Sequence, residues 1–468
     1  MHKQRTILFA LIGMLAAILA GCGSGAAPTT GAPATGTPKP TEVAAAPTTR
    51  PTATPRPAAT AAPTEPPATA APETAEELAI TEMYDYTDES NYFHIVGLVA
   101  NNTAKPVSSI ELTVKIKDGQ GETLLTDSDS QPAESLTFSP LIDTVAPGAA
   151  TPFDYYLYVE SEEKKPDTYE VALTGKLTGD EHKGEVAVEN ARLVDGDDGR
   201  LYLTGEVVNQ SDEYIQINSF AGAALDAKER IIAAQSPVDM VYLLAPKGET
   251  NGYDRAPFRV NMDAPPEEAV GWQTYIDVDS AFSEPDDIRI EFDVPASYYV
   301  DQYDRGHLVG SVKNRGTENV DLYLLAGLYD KDGTVIDTDS INVPFWALEP
   351  DQSIPFEFSY FGLDSEKTRG ELDRYTIQAS LSSSHASYYT PVALETSDDK
   401  PPTEAGGEFT GTVVNTSDKD LTMIRVVVAF YDAEEKLVAT SHTSISPADG
   451  SEVIAPGESP EYSIYIDL

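Results

Sequence analysis

The chain contains a single cysteine, Cys22, whose thiol is the one soft nucleophile in the sequence. One cysteine rules out a disulfide framework and any zinc or iron–sulfur site built from several thiolates. Cys22 follows a basic start, His2-Lys3-Gln4-Arg5, and an apolar run over residues 6–20. A run of this length is short for a membrane span but typical of the apolar region of a signal peptide. The thiol therefore stands at the end of an export signal.

The segment Leu19-Ala20-Gly21-Cys22 resembles the lipobox of bacterial lipoproteins. In that family the cysteine sulfur receives a diacylglycerol, the preceding peptide bond is cut, and the cysteine becomes the new N-terminus. The resemblance implies a signal peptide over residues 1–21 and lipidation of Cys22, which gives the protein a membrane contact through the lipid. We therefore expect an exported protein, lipid-anchored to a bacterial membrane on its extracytoplasmic face.

The histidines offer no evident general base for a catalytic serine or threonine, which needs a base held by a third group. His94 and His307 occupy equivalent places, three residues before a repeated glycine, where the other copies have Tyr202 and Glu408. A place that accepts such different side chains predicts an outward-facing position, so we expect surface histidines. The sequence contains no Gly-x-Ser-x-Gly elbow, phosphate loop or dinucleotide fingerprint.

Carboxylates are abundant, with 77 Asp and Glu, so the paired acids that glycosidases use arise throughout by chance. A more specific pattern is Asp195-Gly-Asp197-Asp198-Gly199, with Glu206 at the twelfth place of a calcium-loop numbering. The sixth place, however, is Arg200 instead of the required glycine. Similar acidic turns are predicted at Asp330–Gly333 and Asp337–Asp339. We expect solvated hairpins and assign no catalytic residue, metal ligand or cofactor.

The charge distribution restricts the possible partners. The formal net charge is −46, and residues 1–77 contribute nothing to it, because they hold five basic and five acidic side chains. Proteins bind nucleic-acid phosphates and anionic lipid surfaces mainly through Lys and Arg. The acidic body therefore argues against a nucleic-acid partner and against adhesion to acidic lipids by surface charge.

Residues 22–77 form a low-complexity segment that begins with the expected lipidated cysteine. Ala, Thr and Pro supply 41 of the 55 residues from 23 to 77. This composition has no apolar periodicity and cannot bury enough apolar surface to offset ordering. We expect a disordered linker that holds the rest of the protein away from the membrane.

Four copies of one pattern fill the remaining chain. Each copy contains Gly-x-Val-x-Asn, at Gly97–Asn101, Gly205–Asn209, Gly310–Asn314 and Gly411–Asn415. An Asp follows sixteen or seventeen residues after the Asn, and a proline turn and an aromatic residue come later. The period of about 100 residues predicts four domains. Their ranges are 78–180, 181–283, 284–384 and 385–468, the last shortened at its C-terminus.

Apolar residues alternate around each repeated glycine, as at Leu308 and Val312, and before each repeated Asp. A period of two predicts strands with one inward face, and the glycine marks a close approach by a neighbouring ring or backbone. The Asn and the Asp are expected to open turns. With no long helical period, the sequence predicts an all-β protein of four tandem immunoglobulin-like antiparallel β-sandwich domains.

The third and fourth copies contain Ala326-Gly-Leu-Tyr-Asp330 and Val428-Ala-Phe-Tyr-Asp432. Together with Gly-x-Val-x-Asn and the downstream proline turn, these motifs resemble the FxLYD domain family. Its members are small bacterial sandwich domains that often occur on exported lipoproteins. The resemblance implies a fold and not a chemistry.

Three tyrosine doublets, Tyr155-Tyr156, Tyr298-Tyr299 and Tyr388-Tyr389, lie in predicted strands. Neighbouring strand residues face opposite ways, so one ring of each pair is expected in a core and the other outside. An outward ring can stack on a sugar or on a partner protein, or it can pack against the adjoining domain.

The fourth copy stops where the other three continue into a further strand around Tyr169, Tyr275 and Tyr375. We expect its last strand, which contains Ile464, to leave a free sheet edge. Such an edge can stay solvated, protected by Glu452, Glu458, Glu461 and Asp467, or it can accept a strand from another chain.

The sequence favours a non-enzymatic, lipid-anchored cell-surface protein that presents four β-sandwich modules to a protein or polysaccharide partner. The alternative is an envelope hydrolase or glycosidase with acidic residues in an interdomain groove. A solute-capturing lipoprotein of an importer is disfavoured, because such proteins alternate strands with helices and this chain does not.

Overall fold

The computed structural model describes residues 77–466 with gaps at 89, 160, 162–163, 180–181, 197–199, 249–252, 263–267, 281–289, 302–304, 345–346, 360–370, 384–392, 396–406, 423, 433, 435 and 446–452. The predicted signal peptide, Cys22 and almost all of the predicted linker lie outside the described residues, as do the three boundaries predicted between domains. The described residues contain no helix long and apolar enough to cross a membrane.

Every described sheet is antiparallel, which confirms the all-β prediction. Repeat 1 contains β1 (Leu78–Thr87), β2 (Tyr92–Asn101), β3 (Val107–Asp118), β4 (Leu125–Thr126), β5 (Pro132–Ala133), β6 (Leu136–Phe138), β7 (Thr144–Val145), β8 (Ala150–Tyr158) and β9 (Pro166–Thr178). Repeat 2 contains β10 (Val186–Asp195), β11 (Leu201–Asn209), β12 (Ile215–Leu225), β13 (Ile231–Gln235), β14 (Leu243–Leu244), β15 (Arg255–Met262) and β16 (Gly271–Ser280).

The second half of the chain follows the same plan with fewer strands. Repeat 3 contains β17 (Ile290–Val300), β18 (Gly306–Asn314), β19 (Val320–Asp330), β20 (Val335–Asn342), β21 (Ser353–Phe358) and β22 (Leu372–Ser383). Repeat 4 contains β23 (Ala393–Glu395), β24 (Gly407–Val414), β25 (Ile424–Tyr431), β26 (Leu437–Ile445) and β27 (Glu461–Ile466).

Each repeat is a sandwich of a front and a back sheet. The Gly-x-Val-x-Asn strand is the middle of the front sheet, in the orders β1-β2-β8, β10-β11-β15, β17-β18-β21 and β23-β24-β27. The strand that ends near the repeated Asp is central to the back sheet. In repeats 1 to 3 it lies between a hairpin strand and a later strand, as in β13-β12-β16 and β20-β19-β22.

The repeated glycine faces an aromatic ring across the front sheet, which confirms the predicted close approach. The cross-strand partners are Gly97–Phe153, Gly205–Phe258, Gly310–Phe356 and Gly411–Tyr462. A Cβ on Gly310 would lie 2.6 Å from Cζ of Phe356, well inside van der Waals contact. Each ring is buried in the core of its own repeat. A side chain at the glycine would displace that ring.

The side chain of the repeated Asn is fully buried and stabilises the turn that follows it. Its Nδ2 donates to the carbonyl four residues on, at 2.7–2.9 Å, and to a carbonyl just before the proline turn, at 2.8–2.9 Å. Its Oδ1 accepts from the backbone N–H two residues on, at 2.8–3.0 Å. One amide thus satisfies three backbone groups in every repeat.

The repeated Asp closes the next hairpin as predicted. Its Oδ1 accepts from the backbone N–H groups two and four residues on, at 2.8–3.0 Å, in all four repeats. These bonds are local to the turn. The Asp therefore stabilises the same hairpin turn in every repeat.

Repeat 4 has two strand edges without a described partner. Strand β27, which contains Ile464, pairs only with β24 among the described strands, so the predicted free edge is present. Strands β9, β16 and β22 pair with β3, β12 and β19 in the back sheets of the other repeats. In the described part of repeat 4 the back sheet holds only β25 and β26, so β25 also has an edge without a described partner.

Candidate functional site

The front sheet of each repeat has one face on its own core and an outward face. In repeats 1 to 3 this outward face packs against the hairpin strand of the next repeat. Strand β13 contacts β2 and β8, β20 contacts β11 and β15, and β26 contacts β18 and β21. The three junctions use equivalent strands, so one packing mode joins all four repeats.

The first junction combines an apolar patch with a polar contact. Tyr86 and Val96 of repeat 1 pack in one buried cluster with Ala223 and Ile231 of repeat 2. Beside this cluster, Gln235 Nε2 donates to Asp154 Oδ2 at 3.0 Å. The junction is thus held both by apolar burial and by a hydrogen bond shielded from water.

His94 and His307 lie in matching buried pockets at the first and third junctions. The rings stack at 4.7 Å on Tyr86 and Tyr299, with interplanar angles of 4° and 6°. The two histidines are only 2% and 4% exposed, so the prediction of surface histidines is wrong for these two. The position does face away from its own core, but the next repeat covers it.

Carboxylates flank both ring nitrogens of each of these histidines. Nδ1 of His94 lies 3.1 Å from Asp154, and Nδ1 of His307 lies 2.7 Å from Glu357. Nε2 of His307 lies 3.2 Å from Asp301. The acid beside Nδ1 also reaches the next repeat, because Glu357 Oε2 accepts from the Thr440 backbone N–H at 2.8 Å.

These neighbours shift the pKa of His307. Burial, the largest influence, favours the neutral ring, but hydrogen bonding and charge from Glu357 and Asp301 together outweigh it. The pKa of His307 is therefore raised above its ordinary value. Arg305, which pairs with Asp301 at 2.6 Å, is the cation beside this cluster.

The second junction replaces the histidine cluster with ion pairs. Arg259 stands at the place of Asp154 and Glu357, and its Nη1 donates to the buried carboxylate of Asp337 in β20. Thr204 Oγ1 donates to the Val335 carbonyl at 2.8 Å. A carboxylate supplied by the next repeat thus neutralises the cation of the preceding one.

Glu206 is part of this second junction and not of a calcium loop. Its Oε2 accepts from Arg255 Nη1 at 3.1 Å and its Oε1 accepts from the Tyr329 hydroxyl at 3.0 Å. Burial and then the charge of Glu206 raise the pKa of Tyr329, which keeps the hydroxyl a donor. Asp195 is the cross-strand partner of Leu201, five residues along β11 from Glu206 and therefore roughly 16 Å away.

Of the other two predicted acidic turns, one is present and the other is part of a strand. The turn that begins at Asp330 is confirmed, whereas Asp337 and Asp339 lie inside β20 and are buried. Closely spaced acids predict a turn, because Asp is rare in strands. In this structure Asp337 instead lies in a strand at a junction, where Arg259 is its cationic partner. Among the residues that the structure describes, no three His, Cys, Asp or Glu side chains are grouped to hold a metal ion. Residues 197–199 lie outside that set.

Rings form a continuous ladder over the outward face of the front sheet in repeat 1. Successive centroids lie 6.0, 4.7, 5.9, 5.8 and 5.4 Å apart. We call this set the aromatic ladder; in order, it contains Tyr84, Tyr86, His94, Tyr156, Tyr92 and Tyr158. Its first half lies under repeat 2, and its second half is exposed.

The tyrosine doublets follow the alternation only in part. Tyr155 packs against the core of repeat 1 while Tyr156 is 59% exposed, as predicted. Tyr298 packs against the core of repeat 3, but Tyr299 is covered by its stack with His307. Tyr388 and Tyr389 lie outside the described residues.

The outward face of repeat 4 is exposed and polar. Glu408 and Thr410 on β24 are exposed, and Tyr465 on β27 is 72% exposed. Glu408 accepts a hydrogen bond from Ser463 Oγ at 2.6 Å, within its own sheet. This face therefore differs from the three that dock another repeat.

Sequence reasoning located the repeated residues but missed the junctions. The structure brings His94, Arg259 and His307 each into contact with a carboxylate at a buried junction. The available signal was that Asp154, Arg259 and Glu357 are charged at one repeated place, directly after an inward phenylalanine and two residues after a proline. A charged residue at this place in repeats 1 to 3, acidic in two of them and basic in one, indicates a contact with a partner of matching polarity.

No family model matches this sequence, and no curated protein matches it. Among solved structures, 84% of this chain aligns with 41% of an Escherichia coli alpha-2-macroglobulin activated by porcine elastase, at 12% identity and a TM-score of 0.13. Similarly, 85% of it aligns with 28% of a Salmonella alpha-2-macroglobulin mutant, at 11% identity and a TM-score of 0.10. The chain thus spans less than half the length of either protein. Scores this low assign no activity.

Proposed function

We propose that this protein is a lipid-anchored bacterial cell-surface protein that presents four β-sandwich modules to a protein or polysaccharide partner, without catalysing a reaction. Cys22 carries the lipid on the extracytoplasmic face of the membrane, and residues 23–77 are a linker that extends the modules outward. The motifs Leu19–Cys22 and Ala326–Asp330 are the basis for the lipoprotein and FxLYD parts of this proposal.

The observation that carries the proposal is the repeated junction. Equivalent strands join each repeat to the next, and each junction buries its own polar contact. Modules joined in this way keep a fixed order and spacing, which suits a protein that holds a binding surface at a distance from its anchor. A free-swinging string of domains would not need buried interdomain partners.

The interdomain carboxylates support a structural role over hydrolysis. Glu206 and Asp337 are buried and paired with Arg255 and Arg259. A general acid and a general base need access to substrate, whereas these acids are covered by the adjoining repeat.

The anchor is tested by Cys22→Ala in the native host. We expect the wild-type chain in the membrane pellet after a high-salt wash and the variant in the soluble envelope fraction or the medium. Gly23→Ala is the control, because it changes the neighbouring residue and leaves the thiol. Retention of the Cys22→Ala chain in the washed pellet would contradict lipid anchoring.

The presentation role is tested by reversible cross-linking on intact cells that display the full chain. A discrete protein or glycan recovered with the wild-type chain supports the proposal if pure partner then binds the pure chain. Turnover of an envelope glycan by the purified chain, abolished by one carboxylate-to-amide substitution that leaves the fold intact, would overturn it in favour of a hydrolase.

A further inference from the structure

The exposed half of the aromatic ladder is a compact surface of three tyrosines. Tyr92, Tyr156 and Tyr158 are 36%, 59% and 53% exposed and lie on the neighbouring strands β2 and β8. The Tyr92 ring meets Tyr156 at 5.8 Å and 80°, and Tyr158 at 5.4 Å and 60°. These edge-to-face contacts hold the rings in fixed positions while their outer faces stay in water.

Repeat 2 acts as an internal control, since it has the same strands without these rings. The place of Tyr92 is taken by Arg200 in repeat 2 and by Arg305 in repeat 3. The place of Tyr156 is taken by Asn261 in repeat 2. The sandwich therefore does not require aromatic residues here, and their cost in exposed apolar surface needs another explanation.

The covered half of the same ladder shows what this face binds. Repeat 2 lies on it and places the Arg230 guanidinium 5.6 Å from the centre of the Tyr84 ring. The same pairing occurs in Arg374 over Tyr329, at 3.7 Å. The Tyr84 ring thus accepts a guanidinium group from polypeptide packed against it, whereas the Tyr329 ring accepts one from the neighbouring strand of its own sheet.

Charge favours the same class of ligand. Residues 78–468 carry 26 basic and 72 acidic side chains, so the body attracts cations and repels a second copy of itself. A sugar chain binds best to flat ring platforms, whereas steep interplanar angles leave no common plane. A guanidinium or ammonium group needs only one ring face and gains from the surrounding negative potential.

We propose that Tyr92, Tyr156 and Tyr158 form a docking surface for a segment of a partner protein rich in Arg or Lys. The segment extends along the outward face of the front sheet in repeat 1, beside the part that repeat 2 already covers. This inference rests on the proposed function, because it names the partner class and the module that contacts it.

The test measures binding of a short synthetic peptide of alternating Arg and Gly to the purified full chain by fluorescence anisotropy. Tyr156→Ala/Tyr158→Ala is compared with Tyr156→Phe/Tyr158→Phe, which keeps both rings, and with Tyr465→Ala, which removes an exposed tyrosine from repeat 4. Two more probes are the same peptide with citrulline for Arg, which has the shape without the charge, and cellohexaose, a neutral sugar chain. Thermal melts confirm that each variant is folded.

We expect the double Ala variant to weaken binding of the Arg peptide by about tenfold, and the Phe variant and Tyr465→Ala by less than about threefold. Binding should survive in about 0.1 M NaCl and weaken in about 0.5 M NaCl. Equal binding by the double Ala variant would overturn the proposal, because acidity alone would then explain it. Tighter binding of cellohexaose than of the Arg peptide would also overturn it.

Failure of this inference is distinguishable from failure of the presentation role. If the double Ala variant still recovers the same partner from intact cells, the partner uses another surface and only this inference fails. If the wild-type chain binds the Arg peptide through the tyrosines but proves to be a hydrolase, only the proposed function fails.

Discussion

The outward faces of the second and fourth front sheets are built from equivalent strands, yet one is buried and the other is open. In repeat 2, Tyr202, Thr204 and Glu206 lie under repeat 3. At the same places in repeat 4, Glu408 and Thr410 are exposed. Both faces are polar, so polarity alone does not decide burial. What differs is a set of matched partners, without which burial of polar groups is costly.

Among the differences between the two faces, loss of Arg259 should have the largest effect on stability. Arg259→Leu leaves Asp337 buried without its cation, and we expect the free energy of unfolding to fall by about 3–5 kcal/mol in urea denaturation. Arg259→Leu/Asp337→Leu removes both charges, and it should recover most of that loss. If the double variant is as unstable as the single one, the stability comes from packing and not from the pair.

The inward faces of the two sheets should respond alike, because both use glycine against a ring. Gly205→Ala and Gly411→Ala place a Cβ 2.9 Å from Phe258 Cζ and 2.6 Å from Tyr462 Cζ. We expect each to lower the free energy of unfolding by about 1–3 kcal/mol in the same denaturation assay. Addition of Phe258→Leu to Gly205→Ala tests the cause, since a smaller partner should lessen the penalty. A neutral effect at either glycine would show that the ring moves aside freely.

The stability of the third junction should depend on pH, because it contains His307. Repeat 4 has Glu408 at the same place. The folded-state pKa of His307 is raised, so its contribution to stability is fully present below the unfolded pKa of about 6.5 and is lost as pH rises through the folded value. The unfolding midpoint should therefore fall across this range relative to His307→Gln. The groups facing the ring are Glu357, Asp301 and Arg305. Parallel pH profiles for the two chains would contradict this linkage.

The smallest effect is expected on the open face of repeat 4. Glu408→Gln should change the free energy of unfolding by less than about 0.5 kcal/mol, because the side chain is exposed and bonds only to Ser463 of its own sheet. The change in the free energy of unfolding is measured by urea denaturation and compared with that of Arg259→Leu. A loss comparable with that at Arg259 would mean that this face is covered in solution.

Local rules made most of the fold predictable. The strands follow from period-two alternation, and the roles of Gly310, Asn314 and Asp330 follow from steric contact and short-range hydrogen bonds. These effects depend on residues within one sheet or one turn. The sequence therefore predicts them in each repeat independently.

The junctions could not be predicted in the same way. Asp337 was assigned to an acidic turn, and His94 and His307 to the surface, because alternation shows that a residue faces outward but not what covers it. The covering strand comes from the next repeat, roughly a hundred residues along the chain. The further uncovered edge on β25 was missed for a related reason, since order in the sequence is not order in the sheet.

The three junction contacts also specify the succession of the modules. Asp154 meets Gln235, Arg259 meets Asp337, and Glu357 meets Thr440, so no two contacts are the same. If the hairpin of repeat 3 docked on repeat 1 in the same packing mode, Asp339 would take the place of Gln235 beside Asp154. Two carboxylates side by side make that arrangement costly. Modules with the same fold thus have a different polar or charged contact at each junction. These contacts distinguish the correct neighbour of each module from the others.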